Sequence, residues 1–191
     1  FVAIISTNTM PSHEVLYFDG PGRAELTRIC LTIAKAEWKD TRFTFKDWAE
    51  IKPTTPVGSV PVLKIDGVDH IQSVAMARYA GRLAGWYPED PLEALVVDEA
   101  LDTLNEMSSK APRSKDDEEF KKLRAEFQET TMTKYTNFIE SLIQRNGGTG
   151  LTKKPTIGDL GLKLLVDGIS SGDWTHVDVK FFEKYPGIMA T

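Results

Sequence analysis

Tyr17 closes an apolar run, EVLYF (14–18), and is followed by the breaker Asp19-Gly20-Pro21-Gly22 and then by Arg23-Ala24-Glu25. A phenol at the end of a strand has two uses. It can fill a core with its hydroxyl on a carbonyl, or it can point that hydroxyl into a cleft as a hydrogen-bond donor. Arg23, at the start of the next helix, is either a solvated charge or an ion-pair partner of Glu25. Gln72 and Ser73 stand where another helix opens, and unpaired N–H groups beside a hydroxyl suit a carboxylate; serine there is equally an ordinary cap. Trp48 and Lys52 are four residues apart, and Val60-Pro61 begins a strand, a place where proline need not donate to the ladder. Asp98, Asp102 and Glu106 repeat at four-residue spacing on one helix face, usually a solvated stripe.

Other chemistries are poorly served. Cys30 is the only cysteine, which excludes an internal disulfide, a C-x-x-C redox pair and a thiolate zinc cluster, and favours a reducing compartment. His13, His70 and His176 lie far apart and at no metal-binding spacing, so no metal is expected. A net charge of -5 with scattered lysines and arginines argues against nucleic acid as a partner. No apolar run approaches the ~20 residues of a membrane span. Apolar and charged fractions of 41% and 27% are those of a globular protein.

The elements that must position these residues fall into two groups. EVLYF reads as a strand, residues 23–36 as an amphipathic helix (Leu26, Ile29, Cys30, Ile33), and TRFTF (41–45) as a second strand. Residues 46–59 are irregular, with at most a helical turn before Pro53. VPVLKIDGVDHI (60–71) is a hairpin turning on Asp66-Gly67. The helix opened by Gln72-Ser73 puts Met76, Tyr79, Ala80 and Leu83 on one face. The order β-α-β, linker, β-β-α predicts a mixed four-stranded sheet with helices packed on it. After Trp86-Tyr87-Pro88 the pattern is helical throughout: residues 89–109, then one long helix opened by a Ser114–Asp117 capping box and running to Gly147-Gly148, its buried face marked by Phe120, Leu123, Phe127, Phe138 and Leu142. A second capping box, Thr156 with Asp159, opens a further helix. With 191 residues, one or two domains are expected. The segments are an N-terminal extension (1–12), an α/β domain (13–86) and an all-α C-terminal domain (89–191). FVAIISTNT at the start reads as the remnant of a targeting segment, an upstream extension or an artificial leader.

LYFDGPGRAE, FKDWAEIKPTTPVGSVPVL, DHIQSVAMARYAGRLAG and TIGD, in this order, resemble the tyrosine-type cytosolic glutathione transferases along nearly the whole chain, and most of all the sigma class. The resemblance implies a thioredoxin-like N-terminal domain that binds glutathione, a helical second domain, and a homodimer in the cytoplasm; an organelle is the alternative if residues 1–9 are a targeting remnant. It implies an enzyme that uses glutathione as co-substrate, without a metal, to attack small hydrophobic electrophiles in detoxification, or to reduce peroxides or isomerise. A catalytically quiet structural, ligand-carrying or scaffold subunit is the alternative. A cysteine-type thiol transferase needs a cysteine at the first turn, which Cys30 is not.

The same resemblance assigns roles. Tyr17 would donate a hydrogen bond to the glutathione sulfur, and Arg23 would order the turn and add positive potential. Gln72 and Ser73 would take the γ-glutamyl carboxylate, and Trp48 and Lys52 the glycyl carboxylate. Val60 would present its backbone to the cysteinyl unit through a cis bond to Pro61, although X–Pro bonds are cis in only about 5–6% of cases. Glu106, from a neighbouring subunit, would meet the glutathione amino group. Two positions depart from the sigma-class prostaglandin D synthases, Pro21 in place of arginine and Arg113 in place of tryptophan, so that isomerase activity is not expected. Val57 stands where other classes insert an aromatic key into the partner, so a lock-and-key dimer is not expected either.

Overall fold

The computed structural model describes residues 11–191. The expected N-terminal extension falls almost wholly on residues outside that range. The chain divides between Gly85 and Trp86 into two compact units.

The first unit is built on a four-stranded sheet of order β2-β1-β3-β4. Strands β1 (His13–Phe18) and β2 (Trp38–Phe43) pair in parallel, with Tyr17 opposite Arg42 and Phe18 opposite Phe43. Strand β3 (Val62–Ile65) runs antiparallel to β1, with Leu16 opposite Val62, and β4 (Val68–His70) antiparallel to β3. Asp66 and Gly67 both have positive φ, 48° and 83°, the primed turn that their residue types favour. Helix α1 (Glu25–Ile33) follows a short 3-10 turn at Gly22–Ala24, so the helix proper begins two residues later than the pattern suggested. A single turn, α2 (Trp48–Ile51), runs on into a 3-10 turn at Lys52–Thr54, and α3 (Ser73–Leu83) closes the unit. Val15, Leu31, Leu63, Met76 and Ala80 are its fully buried centre.

One strand is displaced from its sequence reading. β2 spans Trp38–Phe43 rather than 41–45, because pairing with β1 sets its register and Thr44 leaves the ladder. The backbone N–H and hydroxyl of Thr44 both donate to Asp47 Oδ2, at 2.8 and 2.7 Å, a local turn that competes with a strand.

The second unit contains α4 (Pro91–Ser109), α5 (Asp117–Phe127), α6 (Thr133–Arg145), α7 (Ile157–Ser170) and α8 (Pro186–Ala190). The expected long helix is interrupted: Gln128–Met132 form a π-helical turn, with the Thr133 hydroxyl donating to the Gln128 carbonyl at 2.7 Å. The wider turn carries one extra residue and rotates everything after it. Phe138, expected inside, is therefore 38% exposed, and its neighbour Ile139 is buried at 1%. The expected Ser114–Asp117 capping box is absent. Asp116 is the cap, accepting from Glu119 N–H at 2.8 Å, and Ser114 instead donates its hydroxyl to the Glu119 carboxylate. The Thr156–Asp159 box is formed as its sequence indicates: Thr156 Oγ1 accepts from Gly158 N–H at 3.2 Å and Asp159 Oδ2 from Thr156 N–H at 2.8 Å. Asp159 also accepts from Leu151 N–H at 2.8 Å, so this nearly buried carboxylate ties a loop to a helix start.

Candidate active site

Strand direction gathers the predicted residues of the first unit. β1, β2 and β4 end where β3 begins, so Tyr17, Val60-Pro61 and Gln72 emerge from one end of the sheet. The last pairs, Leu16 with Val62 and Leu63 with His70, bring the ends of β1 and β4 to the start of β3.

The Tyr17 hydroxyl accepts a hydrogen bond from the backbone N–H of Arg23 at 3.2 Å. Gly22, with φ of 45°, permits this. A Cβ built there would lie 2.6 Å from the Tyr17 oxygen, so the turn can fold over the phenol only because it carries no side chain. Tyr17 is thus at the edge of the unit, partly exposed, and not a filler of the core.

A second arginine, Arg28, also bonds the turn. Arg23 reaches the hydroxyl through its backbone and is exposed, whereas Arg28, 3% exposed, bonds the turn with its guanidinium. Arg28 Nη1 donates to the carbonyls of Gly20 at 2.6 Å and Pro21 at 3.4 Å, and to Glu25 Oε2 at 3.2 Å. Its Nε donates to Asp40 Oδ1 on β2 at 3.1 Å. Glu25 pairs with Arg28. A signal for this existed in the sequence: Ala24, Arg28 and Leu31 share one helical stripe, and a charge inside an apolar stripe needs partners.

Gln72 has φ of 75° and ψ of 100° and makes no side-chain capping bond; it, not Ser73, is the cap residue of α3, and Ser73 is the first helical residue. The first intrahelical bond runs from Met76 N–H to the Gln72 carbonyl, which leaves the N–H groups of Ser73, Val74 and Ala75 without helical acceptors. A left-handed glutamine costs of order 1–3 kcal/mol and is found where surroundings or function require it. The Val60-Pro61 bond is cis.

Trp48 is partly buried, its ring stacked on Phe43 at 5.8 Å and tilted against Phe18 at 5.4 Å. Lys52 is exposed, and its carbonyl accepts from the N–H and hydroxyl of Thr55 at 3.3 and 2.8 Å. Phe45 stacks on Phe18 at 4.4 Å yet is 82% exposed, and sequence reading gave it no role. In the second unit, Glu106 accepts from the Tyr135 hydroxyl at 2.7 Å and from Lys110 Nζ at 2.6 Å; these bonds hold its carboxyl below the usual carboxylate range. Asp98 accepts from the Tyr87 hydroxyl at 2.9 Å.

Cys30 is fully buried, and burial pushes its thiol up to about 12, so it supplies no nucleophile at neutral pH. Among the described residues no group of three or more histidine, cysteine, aspartate or glutamate side chains is arranged to hold a metal. No helix among them is long and apolar enough to cross a membrane.

A four-stranded mixed sheet with helices, followed by an all-helical unit, is the architecture that comparison with known proteins identifies. Residues 102–191 match the family model described as glutathione S-transferase, C-terminal domain. The chain is 30% identical to a glutathione S-transferase of Anopheles gambiae over 94% of its own length and 88% of that protein's. It therefore belongs to the glutathione S-transferase family. It is also 37% identical to the haematopoietic prostaglandin D synthase of Gallus gallus, in a match that spans 59% of this chain but only 56% of that protein. The solved structure of prostaglandin synthase D from Nilaparvata lugens superposes with a TM-score of 0.81 at 32% identity, covering 94% of this chain and 89% of that one.

Proposed function

We propose that the protein is a glutathione transferase of the sigma class that ionises the glutathione thiol with Tyr17 and directs it at small hydrophobic electrophiles. The observation that carries the reading is the bond from Arg23 N–H to the Tyr17 oxygen. Accepting at that oxygen leaves the phenol proton to donate to an incoming sulfur, and it fixes the direction of donation.

The energetics are sufficient. A free thiol titrates near ~8.5, and each unit of depression needs about 1.4 kcal/mol. A hydrogen bond to a charged group contributes ~1.5–3 kcal/mol, so Tyr17 alone can lower the thiol by about one to two units and leave much of it ionised at neutral pH. The thiol proton leaves to solvent, the thiolate attacks the electrophilic carbon, a sulfur–carbon bond forms and the leaving group departs with its electron pair. The same thiolate serves peroxide reduction or isomerisation.

Binding follows from the neighbouring groups. The open N–H groups and hydroxyl at Gln72-Ser73 suit the γ-glutamyl carboxylate. The backbone of Val60, turned by the cis bond to Pro61, faces the cysteinyl unit, and Trp48 with Lys52 takes the glycyl carboxylate. Glu106 serves the amino group from a second copy in a homodimer. Its bonds to Lys110 and Tyr135 hold the carboxylate ionised, as a partner for an ammonium must be. We place this activity in the cytoplasm and in detoxification of such electrophiles. Pro21 and Arg113 keep prostaglandin isomerisation out of the proposal despite the names of the relatives.

Retention on a glutathione resin and turnover of a chlorodinitrobenzene-type electrophile test the reading, for wild type and Tyr17→Phe. Both proteins should be retained, and only the wild type should turn over at full rate. Absence of retention would sink the enzyme and leave a scaffold of the same fold.

A further inference from the structure

We propose that Arg28 is the positioning residue for the Tyr17 hydroxyl, an inference that rests on the glutathione-thiolate reading above and names the group that makes it work. The tyrosine oxygen is aimed by one backbone N–H, that of Arg23, and the position of this N–H depends on the turn 19–22. Backbone bonds hold the N–H side of its start, from Asp19 to the Phe43 carbonyl at 2.8 Å and from Gly20 to the Phe18 carbonyl at 2.9 Å. Pro21 has no N–H to donate, Gly22 sits at positive φ, and the carbonyls of Gly20 and Pro21 face the other way.

Arg28 holds those two carbonyls while its Nε is fixed to Asp40. Asp40 in turn bonds Arg42 Nε at 2.8 Å, and Arg42 Nη1 reaches Asp19 at 3.4 Å. The chain of contacts Asp19–Arg42–Asp40–Arg28–Gly20 is a closed clamp on the start of the turn, anchored in β2. The Arg28 guanidinium carbon also lies 5.7 Å from the centre of the Tyr17 ring, within range of a cation–π interaction. Its remaining nitrogen, Nη2, is buried without a hydrogen-bond partner. The planar fork is what matters, because a lysine cannot bond a carbonyl of the turn and a carboxylate on a neighbouring strand from two fixed directions.

The test uses the full chain and separates positioning from folding and from glutathione recognition. Wild type, Arg28→Lys, Tyr17→Phe and the double variant are compared for thermal melting, affinity for S-methylglutathione, which lacks the thiol, and the pH dependence of kcat/KM. Arg28→Lys should fold and should hold S-methylglutathione within about threefold of wild type, while the pH midpoint of its turnover rises. At a pH below that midpoint its rate should fall by about tenfold, the change that one unit of thiol ionisation produces. In the double variant the loss should equal that of Tyr17→Phe alone, since a residue acting through the hydroxyl has nothing to position once the hydroxyl is gone. An unshifted midpoint in a folded Arg28→Lys protein, or losses that simply add in the double variant, would overturn the inference and leave the glutathione reading intact. Failure of the wild type itself to bind S-methylglutathione overturns both readings. Should Arg28→Lys not fold, Asp40→Asn, which loosens the Nε anchor and keeps the arginine, must shift the midpoint in the same direction; an unshifted Asp40→Asn overturns the inference.

Discussion

The helix starts of the two units are built on opposite plans. In the second unit, α4 opens under Asp90, whose Oδ1 accepts from Leu92 and Glu93 N–H at 3.0 and 2.9 Å, and α5 opens under Asp116. Thr156 and Asp159 close α7, and the Glu140 carboxylate accepts both Gly187 and Ile188 N–H at the start of α8. In the first unit, α3 begins at a left-handed Gln72 with no side-chain cap. These starts are closed by acceptor side chains, from the helix's own first turn or, for α8, from Glu140 on α6, as capping energetics favour. The start of α3 has been left open and strained at the end of the sheet where Tyr17 emerges. What folding alone would remove has been kept, which is the expected signature of a binding site.

The contrast can be broken from either side. The largest effect is expected on the closed side. Asp159→Ala removes the acceptor for Leu151 and Thr156 N–H in a nearly buried place, and should cost about 3 kcal/mol in denaturant unfolding, from a lost cap and charged hydrogen bonds. A loss below about 1 kcal/mol would mean that water replaces the carboxylate. On the open side, Gly22→Ala should act on activity first. Its Cβ must displace the Tyr17 oxygen, so turnover should fall by tenfold or more, at a stability cost of about 1–2 kcal/mol for the left-handed residue. Wild-type turnover in this variant would show that the hydroxyl is not held as described.

Gln72→Gly should move stability and binding in opposite directions. Relief of ~1–3 kcal/mol of backbone strain is offset by ~0.5–1 kcal/mol of added chain entropy, so melting should rise or stay level. Glutathione affinity should drop by roughly fivefold, about 1 kcal/mol for one lost hydrogen-bonding side chain; a variant that is both less stable and equally tight would remove the case for strain kept for binding. The smallest effect concerns Glu106. Its carboxyl is lowered by Lys110 and Tyr135, so the stability this provides is present above the ordinary glutamate range and disappears as pH falls through the lowered value. Glu106→Gln should thus differ slightly from wild type at neutral pH and low salt and converge with it in acid. The pair is exposed, so added salt should shrink the difference.

Local rules made much of this legible. The Asp66-Gly67 hairpin, the order of strands and helices, the Thr156–Asp159 box and the buried Cys30 are all decided within a few residues of themselves. What sequence could not display was set by partners distant in the chain or by phase. β2 took its limits from β1, and Phe138 lost its buried place to Ile139 because the π-helical turn at Gln128–Met132 inserted one extra step. At the site, residue type and position placed Tyr17 at a strand end and Gln72-Ser73 at a helix start, and only the family resemblance gave them roles. The stripe of Ala24, Arg28 and Leu31 signals that Arg28 needs partners but not which ones, since they come from the turn before α1 and from β2, and only folding brings them to one guanidinium.

The central claim is that the Tyr17 hydroxyl, aimed by Arg23 N–H, ionises bound glutathione. Spectrophotometric titration of the thiolate of glutathione bound to wild type and to Tyr17→Phe tests it most directly. The account predicts a wild-type thiol about one to two units below its free value of ~8.5 and a return most of the way to that value in Tyr17→Phe. Equal titration midpoints in the two proteins would contradict it.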